Sequence, residues 1–206
     1  MKISNAKPLL TAIIILIIML SIAAVITLTV GQSMSLLSTI TGKYSVLRNK
    51  DLDKVADDQL VTTVMDWMWS KFNRDWSDQY EVISSLPKAC QDIYSTFTIE
   101  CEVNNGGFNQ CYYNSSKDFT QMAEEGFKAI KAAGFADIMS RANSTYATIK
   151  DDLEKQNDGT LESFSKSYEN NPLNELDTEF YAMYEKESLE QLYIDYIRAN
   201  VQYFGD

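Results

Sequence analysis

The stretch from Leu9 to Val30, LLTAIIILIIMLSIAAVITLTV, contains no charged residue. As an α-helix it would reach roughly 33 Å at ~1.5 Å per residue, close to the hydrocarbon thickness of a bilayer. Its polar members, Thr11, Ser21, Thr27 and Thr29, can bond their own helix backbone. The chain is therefore expected to divide into an N-terminal transmembrane anchor (1–30), a Gly/Ser/Thr-bearing juxtamembrane linker (31–50) and a separate body (51–206). A cleaved signal peptide is the alternative, since Ser21-Ile22-Ala23 loosely fits a small-x-small site. Cleavage there would leave a strongly apolar tail, which favours the anchor. Lys2 and Lys7 lie closer to the run than Lys43, Arg48 and Lys50 beyond it. That places the N-terminus in the cytoplasm and the body outside, in a single-pass membrane protein.

Charge is as unevenly distributed as hydropathy. The first fifty residues hold Lys2, Lys7, Lys43, Arg48, Lys50 and no acid, so the 29 acidic residues all fall in the body and the chain nets −11. Such a body repels nucleic acid, whose phosphates demand Lys and Arg, and attracts basic proteins through a summed, salt-sensitive field. There is no histidine. The commonest general base and metal ligand is missing, and with it Ser-His-Asp and Cys-His catalysis. Adjacent carboxylates such as Asp57-Asp58, Glu124-Glu125 and Asp151-Asp152 diverge by about 100° on a helix and read as solvated faces. No EF-hand spacing occurs. The expectation is a non-enzyme with no catalytic residue, no cofactor and no metal. Cys90 and Cys101, on one helix, would stand about 16 Å apart, too far for a disulfide limited to ~7 Å between Cα atoms. Buried thiols are expected, with a Cys111 bridge left open. Asn114-Ser115-Ser116 and Asn143-Ser144-Thr145 are sequons that would matter in a glycosylating pathway.

The body reads as all-α. Val61, Val64, Met65, Met68 and Phe72 recur at helical spacing. Pro87 opens a second helix, with Cys90, Ile93, Tyr94, Phe97 and Cys101 on one stripe. A third carries Phe119, Met122, Ala123, Phe127 and Ile130, with Gly134 just past its end. A fourth carries Phe135, Ile138, Met139, Ala142, Tyr146 and Ile149. Residues 150–172 read as a loop with a short helix. Asp177 is placed to cap a segment bearing Phe180, Tyr181 and Tyr184. Ser188 and Gln191 form a capping box before the Leu189–Leu192–Tyr196 stripe.

Between the second and third helices stands NNGGFNQCYYN. Asparagine and glycine tolerate the positive φ of a helix stop, so Asn104, Asn105, Gly106 and Gly107 predict a turn. Phe108 and Tyr112 then restart an apolar face, and Gln110 and Asn114 supply amides for exposed carbonyls of the turn. A phosphate cradle is disfavoured: no Lys or Ser/Thr follows as in a P-loop, and Glu100 and Glu102 stand beside it.

The Leu86-Pro87 helix, the NNGGFNQ core and the alanine-bearing helices after it resemble the DNA-mimic protein family, from Leu86 to about Asn143. A weaker echo runs through LDTEFYAMYEKESLEQLYIDYIRANVQYF. The resemblance implies an acidic all-helical domain, open to homodimerisation, whose carboxylates imitate DNA phosphates on a basic nucleic-acid-binding partner. The anchor and Cys111 after Gln110 depart from the family pattern. The functional expectation is a membrane-anchored acidic protein-binding module, with Glu185, Glu187, Glu190 and Asp195 as its candidate surface. A membrane-tethered scaffold or sensor with apolar contacts, and an immunity-type inhibitor of a basic toxin, are the alternatives.

Overall fold

A computed structural model of the chain describes residues 47–206 except Asn157 and Gly159. Every regular element described is helical: α1 Asn49–Leu52, α2 Asp57–Trp69, α3 Gln79–Ser85, α4 Lys88–Tyr113, a 3₁₀ turn Ser115–Phe119, α5 Thr120–Ala129, α6 Ala133–Gln156, α7 Leu161–Lys166, α8 Leu173–Met183, α9 Leu189–Ala199 and a 3₁₀ turn Val201–Tyr203. The all-α expectation for the body holds.

The transmembrane helix does not. Among the described residues no helix is long and apolar enough to cross a membrane, and the Leu9–Val30 run lies outside them. The longest described helix, α4, carries Lys88, Asp92, Glu100 and Glu102, any of which would be costly in hydrocarbon. An anchor, the membrane as a partner through residues 9–30, a single-pass location and an N-terminus-inside orientation are accordingly withdrawn as readings of this protein.

Helix α4 is the centre of the body and packs against α2, α3, α5, α8 and the first 3₁₀ turn. Its burial is wider than the stripe read from sequence. Ile93, Tyr94, Ile99 and Val103 are buried, and so are Asp92, Ser95 and Thr96. Those polar groups are satisfied in place: the Thr96 hydroxyl donates to the Asp92 carbonyl at 2.6 Å. The Asp92 carboxylate accepts from Lys88 and, at 2.8 Å, from the Tyr196 hydroxyl on α9. Buried polar atoms cost little only when paired in this way. Phe127, Phe135 and Phe180 fill the far side of the core where α5, α6 and α8 meet. Leu47, assigned to the linker from sequence, is buried, and its carbonyl accepts from the Asp206 N–H.

Helix α5 stops without the expected glycine. Lys131 takes the left-handed conformation (φ 67°), the Ala132 N–H reaches back to the Phe127 carbonyl at 2.8 Å, and the Lys131 N–H bonds the Lys128 carbonyl at 3.1 Å. This is a Schellman stop built on lysine. Gly134 instead lies in the first turn of α6, where an added Cβ would meet Met183 Sδ at 2.3 Å. Helix α6 continues to Gln156, into the start of the polar segment 150–172 read as a loop, and the short helix expected within that segment is α7.

The NNGG stretch interrupts the helix as expected: the backbone is non-helical at Gly106 and Gly107, so α4 is two helices joined across a kink. Gly107 takes the expected positive φ, 72°, but with ψ −179°, an extended left-handed conformation rather than αL. That region is essentially restricted to glycine. A Cβ there would also stand 2.3 Å from Asp177 Oδ2, whereas one on Gly106 meets mainly the flexible end of Gln110. Gly107→Ala is therefore expected to lower stability by at least ~1–3 kcal/mol, a large share of a typical ~5–15 kcal/mol. Gly106→Ala should cost clearly less. Urea midpoints of the two variants check this, and equal midpoints would contradict it.

Candidate functional site

The kink leaves backbone groups that a straight helix would pair within itself, and residues of other elements supply the partners. The Phe108 N–H, which would otherwise reach Asn104, donates to Asp177 Oδ1 at 2.7 Å. The Tyr181 hydroxyl donates to the Val103 carbonyl at 2.7 Å, and the Tyr168 hydroxyl to the Gly106 carbonyl at 2.9 Å. Asp177 thus caps a helix remote in sequence, although it sits inside α8. Burial pushes its carboxyl pKa up, and the Phe108 N–H pulls it partly back.

The motif amides have a different target from the one expected. Gln110 and Asn114 donate to Glu102 Oε2 at 3.2 and 3.0 Å, and the Ser116 hydroxyl donates to Glu102 Oε1 at 2.8 Å. They fix a carboxylate, not the turn's carbonyls. Asn104 is exposed and donates to the Tyr184 hydroxyl at 2.9 Å, and Tyr184 in turn donates to Glu100 Oε1 at 2.8 Å. Asn105 is exposed at the rim, and Phe108 is fully buried against Phe180. A buried amide network that sequence gave no sign of, Asn109 to Ser167 at 2.7 Å and Asn171 to Asn109 at 2.9 Å, joins α4 to the α7–α8 connection.

The four acids expected to form one surface have different surroundings. Glu187 is half-buried and turned inward, where Oε1 accepts the Gly134 N–H at 2.9 Å and so caps α6. Asp195 is exposed and accepts from Gln191 at 2.9 Å. It lies five residues from Glu190, about 140° around α9. Glu185 is exposed beyond the end of α8.

Glu190 alone among them lines a cleft. Where α9 packs on α2, a cavity of about 220 Å³ is bordered by Asp57, Asp58, Phe97, Glu100, Glu190 and Tyr193. Arg198 occupies Asp57 at 2.6 Å and also bonds the Leu52 and Val55 carbonyls, tying α9 to the entrance of α2. Among the described residues no lysine or arginine pairs with Asp58, Glu100 or Glu190. Burial raises the Glu100 pKa, opposed by the Tyr184 hydrogen bond and reinforced by the Glu190 charge. Three carboxylates from three helices therefore line one cleft, none of them paired with a lysine or arginine among the described residues. Asp58 and Glu100 carry no local signal of this role, because it arises only when α2, α4 and α9 come together.

The remaining candidates resolve simply. Cys90, Cys101 and Cys111 are free. Cys101 is exposed rather than buried, and burial pushes the Cys90 thiol up to about 12. Asn143 is buried, with its side chain bonded to Tyr112, Glu124 and Thr120, which bars glycosylation of the folded protein at that sequon. No group of metal-ligating side chains assembles among the described residues.

Asp177 provides a test of the kink. Its raised pKa means that the folded protein holds the proton more tightly than the unfolded chain, so this group favours folding more as pH falls through its folded-state value. Asp177→Asn keeps an acceptor without the charge. It should be at least as stable as the parent at pH 7, with its advantage shrinking in acid. Asp177→Ala strands the Phe108 N–H and should cost about 1–3 kcal/mol. Denaturant titrations between pH 4 and 7 measure both; an Asn variant as unstable as the Ala variant would contradict the account.

No curated protein and no solved structure matches the chain. The family model described as DMP19-like protein matches residues 84–200, from the end of α3 through α9. That span exceeds half of the 206 residues and contains the kink, Asp177, Glu100 and Glu190. The chain belongs to the DMP19-like protein family.

Proposed function

We propose that the protein is an acidic binding module whose carboxylates occupy the phosphate-binding surface of a basic, nucleic-acid-binding partner. The observation that carries this reading is the cleft lined by Asp58, Glu100 and Glu190, none of which pairs with a lysine or arginine among the described residues. A half-buried carboxylate next to other negative charge is unfavourable as it stands. An incoming Lys or Arg relieves both burial and repulsion, so the cleft selects positive charge. Glu185 and Asp195, exposed nearby in sequence, add to the long-range field, whereas Glu187 is committed to Gly134. The family is non-catalytic, and this protein is not an enzyme. Direct binding to nucleic acid is opposed by the net charge of −11.

The test begins with proteins captured by the immobilised full chain. A partner held on its nucleic-acid surface should be displaced by duplex DNA at constant ionic strength, because one surface cannot pair with carboxylates and phosphates together. Asp58→Asn with Glu190→Gln should slow association several-fold at low salt and flatten its salt dependence. Either change alone should matter little, since exposed pairs contribute only ~0–1 kcal/mol. A captured partner that DNA fails to displace, and that binds the double variant at the parent's rate, would remove the proposal.

A further inference from the structure

A second opening adjoins the acidic cleft at Phe97, and its chemistry differs from that of the cleft. A groove of about 400 Å³ runs between the end of α2 and the kink, walled by Trp69, Trp76, Tyr94 and Phe97 and floored by Glu102, with Asn105 at its rim. The aromatic walls are mutually braced. Trp69 and Trp76 lie 6.1 Å apart at a 42° tilt, Phe72 meets the Trp76 ring edge-on at 5.5 Å, and Trp69 contacts Phe97 at 6.4 Å.

Trp76 is the unusual member. It is 46% exposed and has φ 61°, a conformation that large side chains rarely take. The connection holding it is well defined: the Trp76 N–H bonds the Asn73 carbonyl at 3.0 Å, and the Asn73 N–H bonds Asp78 Oδ1 at 2.9 Å. A strained backbone that displays an indole to solvent instead of burying it is a feature associated with binding sites.

The floor supplies the specificity. Glu102 is half-buried, and no lysine or arginine pairs with it among the described residues. Gln110, Asn114 and Ser116 take three of its roughly four acceptor sites and fix its orientation. One acceptor site remains, in a groove lined by Trp69, Trp76, Tyr94 and Phe97. An apolar occupant would desolvate that carboxylate without compensation. A cation satisfies it and is also attracted by the faces of the indoles. Between the two common cations, guanidinium is planar, weakly hydrated and stacks on aromatic rings, whereas ammonium is compact and strongly hydrated.

We propose that this groove receives an arginine side chain of the basic partner, stacked on the exposed indole of Trp76, which Trp69 braces from its other side, with one N–H on Glu102. The assignment rests on the reading that the partner is basic and adds a specific anchoring pocket to a general attraction.

The probe is N-acetyl-arginine N-methylamide, titrated into the ¹⁵N-labelled full chain while the indole N–H signals are followed. The chain has three tryptophans, and Trp67 is buried at 2% exposure, so it serves as an internal reference. The Trp69 and Trp76 signals should move and the Trp67 signal should stay. The uncharged isostere, N-acetyl-citrulline N-methylamide, should move none of them, and the lysine analogue should bind several-fold more weakly than arginine. Trp76→Asn retains a residue that tolerates positive φ and should weaken the response of Trp69 at least about fivefold without lowering the melting temperature. Equal responses to citrulline or lysine, a shift at Trp67 as large as at Trp69, or an unchanged affinity in Trp76→Asn would overturn the assignment. Displacement of a captured partner by duplex DNA alongside a silent arginine titration would discard the groove and leave charge mimicry standing. The converse result would discard mimicry and keep the groove.

Discussion

The hydrogen bond from the Phe108 N–H to Asp177 is the contact on which the rest of the body depends. A helix cannot turn at its middle unless the backbone groups freed by the turn find other partners. Gly107 permits the turn, because its conformation and the approach of Asp177 both exclude a side chain. Asp177, Tyr168 and Tyr181 then supply the partners. Redirected in this way, the second half of α4 carries Phe108 onto Phe180 and Tyr112 onto Tyr146. It also brings Gln110 and Asn114 back over Glu102. Both openings of the molecule are built on the straight half of α4 just before the kink, with Glu100 under one and Glu102 under the other.

Inside this frame the acidic residues divide by what surrounds them. Asp92, Glu187 and Asp177 are structural acceptors, each committed to a hydroxyl, an N–H or a lysine from the surrounding fold. Arg141 holds Glu179 through two hydrogen bonds and Asp137 through a third, and Arg198 holds Asp57. Acids of this kind have lost their attraction for an outside cation. In the α2–α9 cleft Arg198 holds Asp57, but Asp58, Glu100 and Glu190 pair with no lysine or arginine among the described residues, Glu100 accepting from the Tyr184 hydroxyl, which is why the functional reading rests on these three rather than on the acid-rich C-terminal segment as a whole.

Much of the fold is legible in the sequence because helical burial imposes a period that the residues display. Pro87 marks the start of α4, and Ser188 caps α9 through the Gln191 N–H as its position predicts. The Gln191 side chain, however, bonds Asp195 instead of closing the capping box. Features set by distant contacts were not legible. Lys131 terminates α5 because Phe127 and Ala132 are held by packing, not because lysine prefers that conformation. Glu187 looks like a surface acid until α6 is seen to begin beside it. Sequence proximity groups Glu185, Glu187, Glu190 and Asp195 in one segment, whereas the carboxylates of the cleft, Asp58, Glu100 and Glu190, come from three helices. The uncharged run Leu9–Val30 lies outside the described residues, which contain no helix long and apolar enough to cross a membrane.

The central claim is that the kink is a fixed element held by Asp177 rather than a flexible break in α4. Amide hydrogen exchange at Phe108 tests it most directly. The Phe108 N–H has no intrahelical partner, so a flexible break would leave it exchanging like a loop amide. A fixed kink requires it to exchange as slowly as the buried amides of Ile93 and Ile99, opening only when the body unfolds. Slow exchange matched to those two positions is the predicted result; exchange at Phe108 orders of magnitude faster would contradict it.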